Sequence, residues 1–139
     1  MSKTFTATNP ATGQAVGNPI VEHSFDEVSA AIAAAEKIKA KFAATTPNQR
    51  AALLNAIADS IESEKEALAQ LSHLETALPM ARVTGEVMRT VIQIRAFADL
   101  VKTGGHLLPI IDLADPNFQP VARPDLRKSQ QPLGVVSIF

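Results

Sequence analysis

The sequence predicts an α/β fold to which this chain contributes a helical layer, one extended arm strand and one core strand. Three observations carry that prediction. Between residues 25 and 103 apolar side chains recur at helical spacing in four successive stretches. The last residues, Leu133-Gly134-Val135-Val136-Ser137-Ile138-Phe139, form a β-branched apolar run of the kind buried inside a parallel sheet covered on both faces. Almost no other strand material is present to flank that run, so the expectation is the helical start of a larger domain, with the first strand of its sheet.

The elements follow in order. Around the turn signal Asn9-Pro10-Ala11-Thr12-Gly13, the short pieces Phe5-Thr6-Ala7-Thr8 and Ile20-Val21 lean toward strand, which predicts a loose hairpin or arm. Ser24 and Glu27 make a capping box for a helix over 25–42, with Val28, Ala31, Ile32, Ala35, Ile38 and Phe42 on one stripe. Thr46-Pro47-Asn48-Gln49 starts a second helix that ends near Glu62, with Leu53, Leu54, Ile57, Ala58 and Ile61 inward. Ser63 and Glu66 predict a third box and a helix with Ala67, Leu68, Leu71 and Leu74 inward, stopping before Leu78-Pro79.

The stretch 79–103 is the longest helical pattern and has three faces. Val87, Val91, Ile94, Ala98 and Val101 form an apolar stripe, and Met88, Arg95, Asp99 and Lys102 a face suited to water. Glu86, Arg89, Thr90, Gln93, Phe97 and Leu100 share the third arc, which is too polar for a core and too apolar for solvent alone. Two arrangements fit it. Arg89 can grip a carboxylate bidentately with Thr90 and Gln93 as further donors, or Glu86 and Arg89 can pair with each other at i and i+3. Gly104-Gly105 caps this helix; an irregular crossing follows over 106–124, with its apolar part 107–113 expected against the body, and 125–131 reads as an exposed strand.

Composition excludes several classes of function. Acidic and basic residues nearly balance, 14 against 13 for a net charge of −1, which gives no footprint for nucleic acid or an anionic membrane. There is no cysteine, so thiol catalysis, disulfides and Cys-ligated zinc are closed to these residues. His23, His73 and His106 lie on separate elements without a second ligand at metal spacing, and no glycine-rich phosphate loop or nucleophile elbow is present. The start lacks the apolar core of a signal peptide and no run is long enough to span a bilayer, so a cytoplasmic protein is expected.

Asn9-Pro10-Ala11-Thr12-Gly13, the helix carrying Arg50, Leu53-Leu54 and Ile57-Ala58-Asp59-Ser60-Ile61-Glu62, then Glu75-Thr76-Ala77-Leu78-Pro79 and Gln131-Pro132-Leu133-Gly134-Val135-Val136, together resemble the N-terminal part of an aldehyde dehydrogenase. Ala81-Arg82, Gly85-Glu86, Arg89-Thr90, Gln93-Ile94-Arg95-Ala96-Phe97-Ala98 and Arg123-Pro124-Asp125-Leu126-Arg127 resemble the branch that oxidises 2-oxoglutarate semialdehyde (2,5-dioxopentanoate) to 2-oxoglutarate with NAD or NADP. One departure is Ala77, where the family usually has glycine.

The resemblance implies an aldehyde dehydrogenase-like fold, in which 1–124 is the N-terminal part of the NAD(P)-binding domain, 125–134 the start of an oligomerisation arm and 135–139 the first strand of the dinucleotide-binding sheet. It implies no catalytic residue in this chain, since the family's cysteine nucleophile and water-activating glutamate lie further on, so the segment alone is expected to be inactive and to hold no cofactor tightly. It implies substrate contacts from Arg89, Thr90, Gln93 and Phe97, a border on the dinucleotide from Ile138 and Phe139, no metal, and a homo-oligomer, dimer or tetramer, joined through the arm. A dehydrogenase of another semialdehyde such as succinate semialdehyde, and a free-standing helical interaction domain, are the alternatives.

Overall fold

The computed structural model describes residues 3–138. Its elements are β1 (Thr4–Thr8), β2 (Ala15–Val21), α1 (Phe25–Ala43), α2 (Pro47–Ser63), α3 (Lys65–Thr76), α4 (Met80–Thr103), a 3-10 turn at Gly105–Leu107, β3 (Ile110–Asp112) and β4 (Leu126–Lys128). Among the described residues no helix is long and apolar enough to cross a membrane.

The hairpin forms around the predicted turn. The Asn9 side chain accepts from the Ala11 amide at 2.9 Å, and Gly13, at φ +71°, donates to the Asn9 carbonyl at 2.8 Å. β1 and β2 then pair antiparallel, with a register shift between Phe5 and Ala7. Two capping boxes close as predicted. Ser24 accepts from the Glu27 amide at 3.2 Å while the Glu27 carboxylate takes the Ser24 amide at 2.7 Å, and Thr46 and Gln49 repeat the exchange at 3.2 and 2.8 Å.

The third predicted box does not form. α2 continues through Ser63, so that residue has helical backbone and cannot adopt the extended conformation of an N-cap. Its hydroxyl instead donates to the Ser60 carbonyl at 2.8 Å, and α3 begins after Glu64 without a side-chain cap. At the other end of α3, Ala77 takes the left-handed conformation with φ +57° and donates to the His73 carbonyl at 2.8 Å. His73 Nδ1 lies 2.6 Å from the Leu78 carbonyl; since a carbonyl only accepts, that nitrogen carries the proton and ties α3 to the start of α4.

α2, α3 and α4 share the buried interior, with the most extensive contact between α2 and α4. Its buried residues are small: Ala51, Ala58, Ala69, Val83, Val91 and Ala98. Val91 and Ala98 belong to the predicted stripe of α4, whose other members Val87, Ile94 and Val101 are half-buried. In α3 the buried residue is Ala69, while Leu68, Leu71 and Leu74, predicted inward, are exposed. α1 is amphipathic as predicted but buries none of its residues, because no other element packs extensively on it.

Two corrections concern the last third. The 107–113 stretch does not lie against the body: Leu107, Leu108, Ile110, Ile111 and Leu113 are exposed. Ile110–Asp112 is instead a strand that the sequence reading missed, paired antiparallel with Leu126–Lys128, and Asp115 and Arg123 exchange backbone hydrogen bonds at 2.9 Å further along. Pro109 beside so short a run hid it, since a proline next to three residues reads as loop. Residues 135–138 have no strand pairing, and a strand is defined by the neighbour that takes its hydrogen bonds. Phe139 lies outside the described residues.

Two stability predictions follow from this architecture. Ala77→Gly removes the cost of holding a Cβ in the left-handed region, about 1 kcal/mol, and is expected to raise the melting temperature by about 4 °C in a thermal scan. Val91→Ala empties the largest fully buried side chain among the described residues and is expected to cost about 2 kcal/mol in a urea titration, whereas Ile92→Ala, on the exposed side of the same helix, is expected to stay within about 0.5 kcal/mol.

Candidate functional site

The predicted substrate-contact residues all lie on one open face of α4. Glu86, Arg89, Thr90, Gln93, Phe97 and Leu100 are exposed, with the 3-10 turn after α4 reaching Leu100. Phe97 stands 59% exposed, a large apolar ring presented beside hydrogen-bonding groups. One of the two arrangements open at the sequence level is the one seen: Arg89 Nη1 lies 3.7 Å from the Glu86 carboxylate, with the Arg89 side chain 68% exposed. That contact is longer than a charge-assisted hydrogen bond, so it leaves the guanidinium fork free to take a second carboxylate.

Thr90 corrects one expectation. Its hydroxyl donates to the Glu86 carbonyl at 3.0 Å, the back-bond that threonine favours inside a helix, so toward a ligand it offers lone pairs rather than a proton. Gln93 makes no side-chain hydrogen bond among the described residues and keeps its amide donors available. Of the two residues expected to border a dinucleotide, Ile138 is 92% exposed and Phe139 lies outside the described residues.

Arg95 is the residue whose setting the sequence reading missed. Predicted to face water, it reaches across to α2, where one nitrogen, Nη2, lies 2.7 Å from both the Asp59 and the Glu62 carboxylates. The Asp59 hydrogen bond first, and the Glu62 one next, push the guanidinium above its ordinary range. Among the described residues every other side-chain ion pair joins near neighbours in sequence; this one joins separate helices. A pattern that could have disclosed it is the pair Asp59 and Glu62, two acids at i and i+3 on one face of α2, with the nearest basic residue, Lys65, paired to Glu66.

Other polar features stand apart from this face. An open groove of about 280 Å³ is lined by Asn48, Ala51, Ala52, Asn55 and Lys102, across α4 from the Arg89 arc. The Arg123 guanidinium lies 5.1 Å from the Phe118 ring centroid, a cation–π contact that braces the loop between β3 and β4, although its Nε is buried without a partner. His23 comes within 3.8 Å of the Glu27 carboxylate, and Ser24 hydrogen bonds hold that carboxyl below its ordinary range.

The chain matches the aldehyde dehydrogenase family over residues 1–139, and it belongs to that family. It is 48% identical over 90 residues to alpha-ketoglutaric semialdehyde dehydrogenase 2 of Azospirillum brasilense, an alignment that covers 65% of this chain and 17% of that protein. It is 35% identical over 136 residues to alpha-ketoglutaric semialdehyde dehydrogenase of Acinetobacter baylyi, covering 98% of this chain and 26% of that one. The backbone superposes on the crystal structure of PnpE in complex with nicotinamide adenine dinucleotide with a TM-score of 0.71 and 28% identity, over 81% of this chain and 23% of that one. The chain thus spans about a quarter or less of the length of these relatives, and its helix-rich architecture is that of an aldehyde dehydrogenase N-terminal segment.

Proposed function

We propose that this chain is the segment of an NAD- or NADP-dependent aldehyde dehydrogenase that recognises the acidic end of its substrate, and that the substrate is 2-oxoglutarate semialdehyde, oxidised to 2-oxoglutarate. The observation that carries this reading is the exposed Arg89 on α4, loosely held by Glu86 at 3.7 Å, in a chain with two relatives named for that semialdehyde and others, such as one of Schizosaccharomyces pombe at 30% identity, named for succinate semialdehyde, a second acidic aldehyde. A substrate with a carboxylate at one end and an aldehyde at the other needs a cationic reader far from the reacting carbon.

Each residue then has a task. Arg89 pairs with the carboxylate through its planar fork, and Gln93 donates to whichever oxygen the fork leaves open. Thr90 accepts, Phe97 walls the apolar middle of the substrate, and Glu86 holds Arg89 extended until substrate replaces it. The nicotinamide supplies the hydride acceptor when it is bound. This chain's part toward that cofactor is backbone: the groups at 135–138 are in no ladder and Ile138 is exposed, which fits a border contact and not a phosphate loop. The open edges of the β3–β4 ribbon support an arm, beginning at 125–134, through which copies of the complete enzyme join.

In the complete enzyme, Arg89→Met is expected to raise KM for the acidic semialdehyde by roughly ten- to a hundredfold, the loss of a charge-assisted pair worth about 1.5–3 kcal/mol. KM for an uncharged aldehyde of similar length is expected to stay within about twofold. Equal changes for both substrates would remove Arg89 from this role. Glu86→Gln is expected to lower the KM of the acidic substrate by a few-fold, because an exposed competing pair of about 0.5 kcal/mol no longer has to be broken; steady-state kinetics on the two substrates measure both.

A further inference from the structure

The seam between α2 and α4 is close but weakly directional. Ala51 and Ala58 on α2 are seven residues apart, and so are Val91 and Ala98 on α4. Side chains this small let helices approach closely, yet because both pairs repeat at seven residues a slip of two turns, about 10.5 Å, sets small residues against small residues again. Arg95 opposes Asp59 and Glu62 while Lys102 borders the groove at 48–55, so the two helices run antiparallel. Sliding either one breaks the double contact of Arg95 with both carboxylates.

We propose that Arg95 is the positioning residue of this segment: held by Asp59 and Glu62, it sets the register of α4 on α2 and so fixes where the Arg89 face stands. The substrate half of this inference rests on the carboxylate-reading role of Arg89 proposed above. Six residues separate the two arginines, about 9 Å along the helix axis and about 120° around it, so Arg95 acts on the far side of the helix and does not touch the substrate. A rigid helix transmits its placement: α4 displaced by two turns carries Arg89 off the position at which the carboxylate arrives.

Two experiments test this, and the first is independent of Arg89. The chain has no cysteine, so nitroxide labels on Asn48→Cys and Ile92→Cys, both exposed positions, report the spacing of α2 and α4 by pulsed electron paramagnetic resonance in the 139-residue chain. One narrow distance is expected with Arg95 present. Arg95→Met, and separately the near-isosteric Asp59→Asn with Glu62→Gln, are expected to broaden it or move it by about two turns, about 10.5 Å; an unchanged narrow distance in both variants overturns the proposal. In the complete enzyme, Arg95→Met is expected to raise KM for the acidic semialdehyde by roughly tenfold, to spare an uncharged aldehyde, and to add nothing when Arg89→Met is already present, with Arg95→Lys restoring part of the loss. Equal losses on both substrates overturn it. Should Arg89→Met itself fail to discriminate, the carboxylate reading falls, and the distance measurement still decides the register.

Discussion

The close antiparallel contact of α2 with α4 is the constraint on which the remainder of this segment depends. Alanine at 51, 58 and 98, with valine at 91, removes the bulk that would hold the helices apart. Dispersion between closely packed backbones then supplies attraction without much direction. Direction comes from Arg95, whose planar guanidinium meets two carboxylates of the neighbouring helix at 2.7 Å. Because the group is half-exposed, its contribution to stability is modest, and what it adds is specificity of arrangement.

The large apolar side chains lie elsewhere. Phe25, Ile38, Phe42, Ile92 and Phe97 are all exposed, and α1 buries nothing. The chain spans 17% and 26% of two relatives, and the apolar stripe of α1 follows the helical period as a face made for packing does. The Arg89 arc differs from that stripe in chemistry. It mixes a cation, a carboxamide and an aromatic ring, where the α1 stripe is wholly apolar.

Local chemistry made much of the fold legible. Asn9 through Gly13, the Ser24–Glu27 and Thr46–Gln49 boxes, Pro79 and Gly104 each act within a few residues, so the turn and the helix ends they specify emerged where expected. The failures have the same physical origin. Ser63 carried the residue types of a cap, but α2 ran one residue further and took away the extended backbone that a cap needs. Ile110–Asp112 becomes a strand only because Leu126–Lys128 lies beside it, and that partner is distant in sequence.

For the candidate site, the sequence alone determined which residues share an arc, because the helical period places Glu86, Arg89, Thr90, Gln93, Phe97 and Leu100 together whatever surrounds them. It also determined, through the ordered motifs from Asn9 to Val136, the family to which the chain belongs. Arg89 leaning on Glu86 and Thr90 donating to the Glu86 carbonyl are local contacts that the period of α4 allows; tertiary structure decided that alanines rather than leucines fill the seam and that Arg95 faces α2 instead of water. Those outcomes turn on distances between groups far apart in the chain, which periodicity within one helix cannot encode.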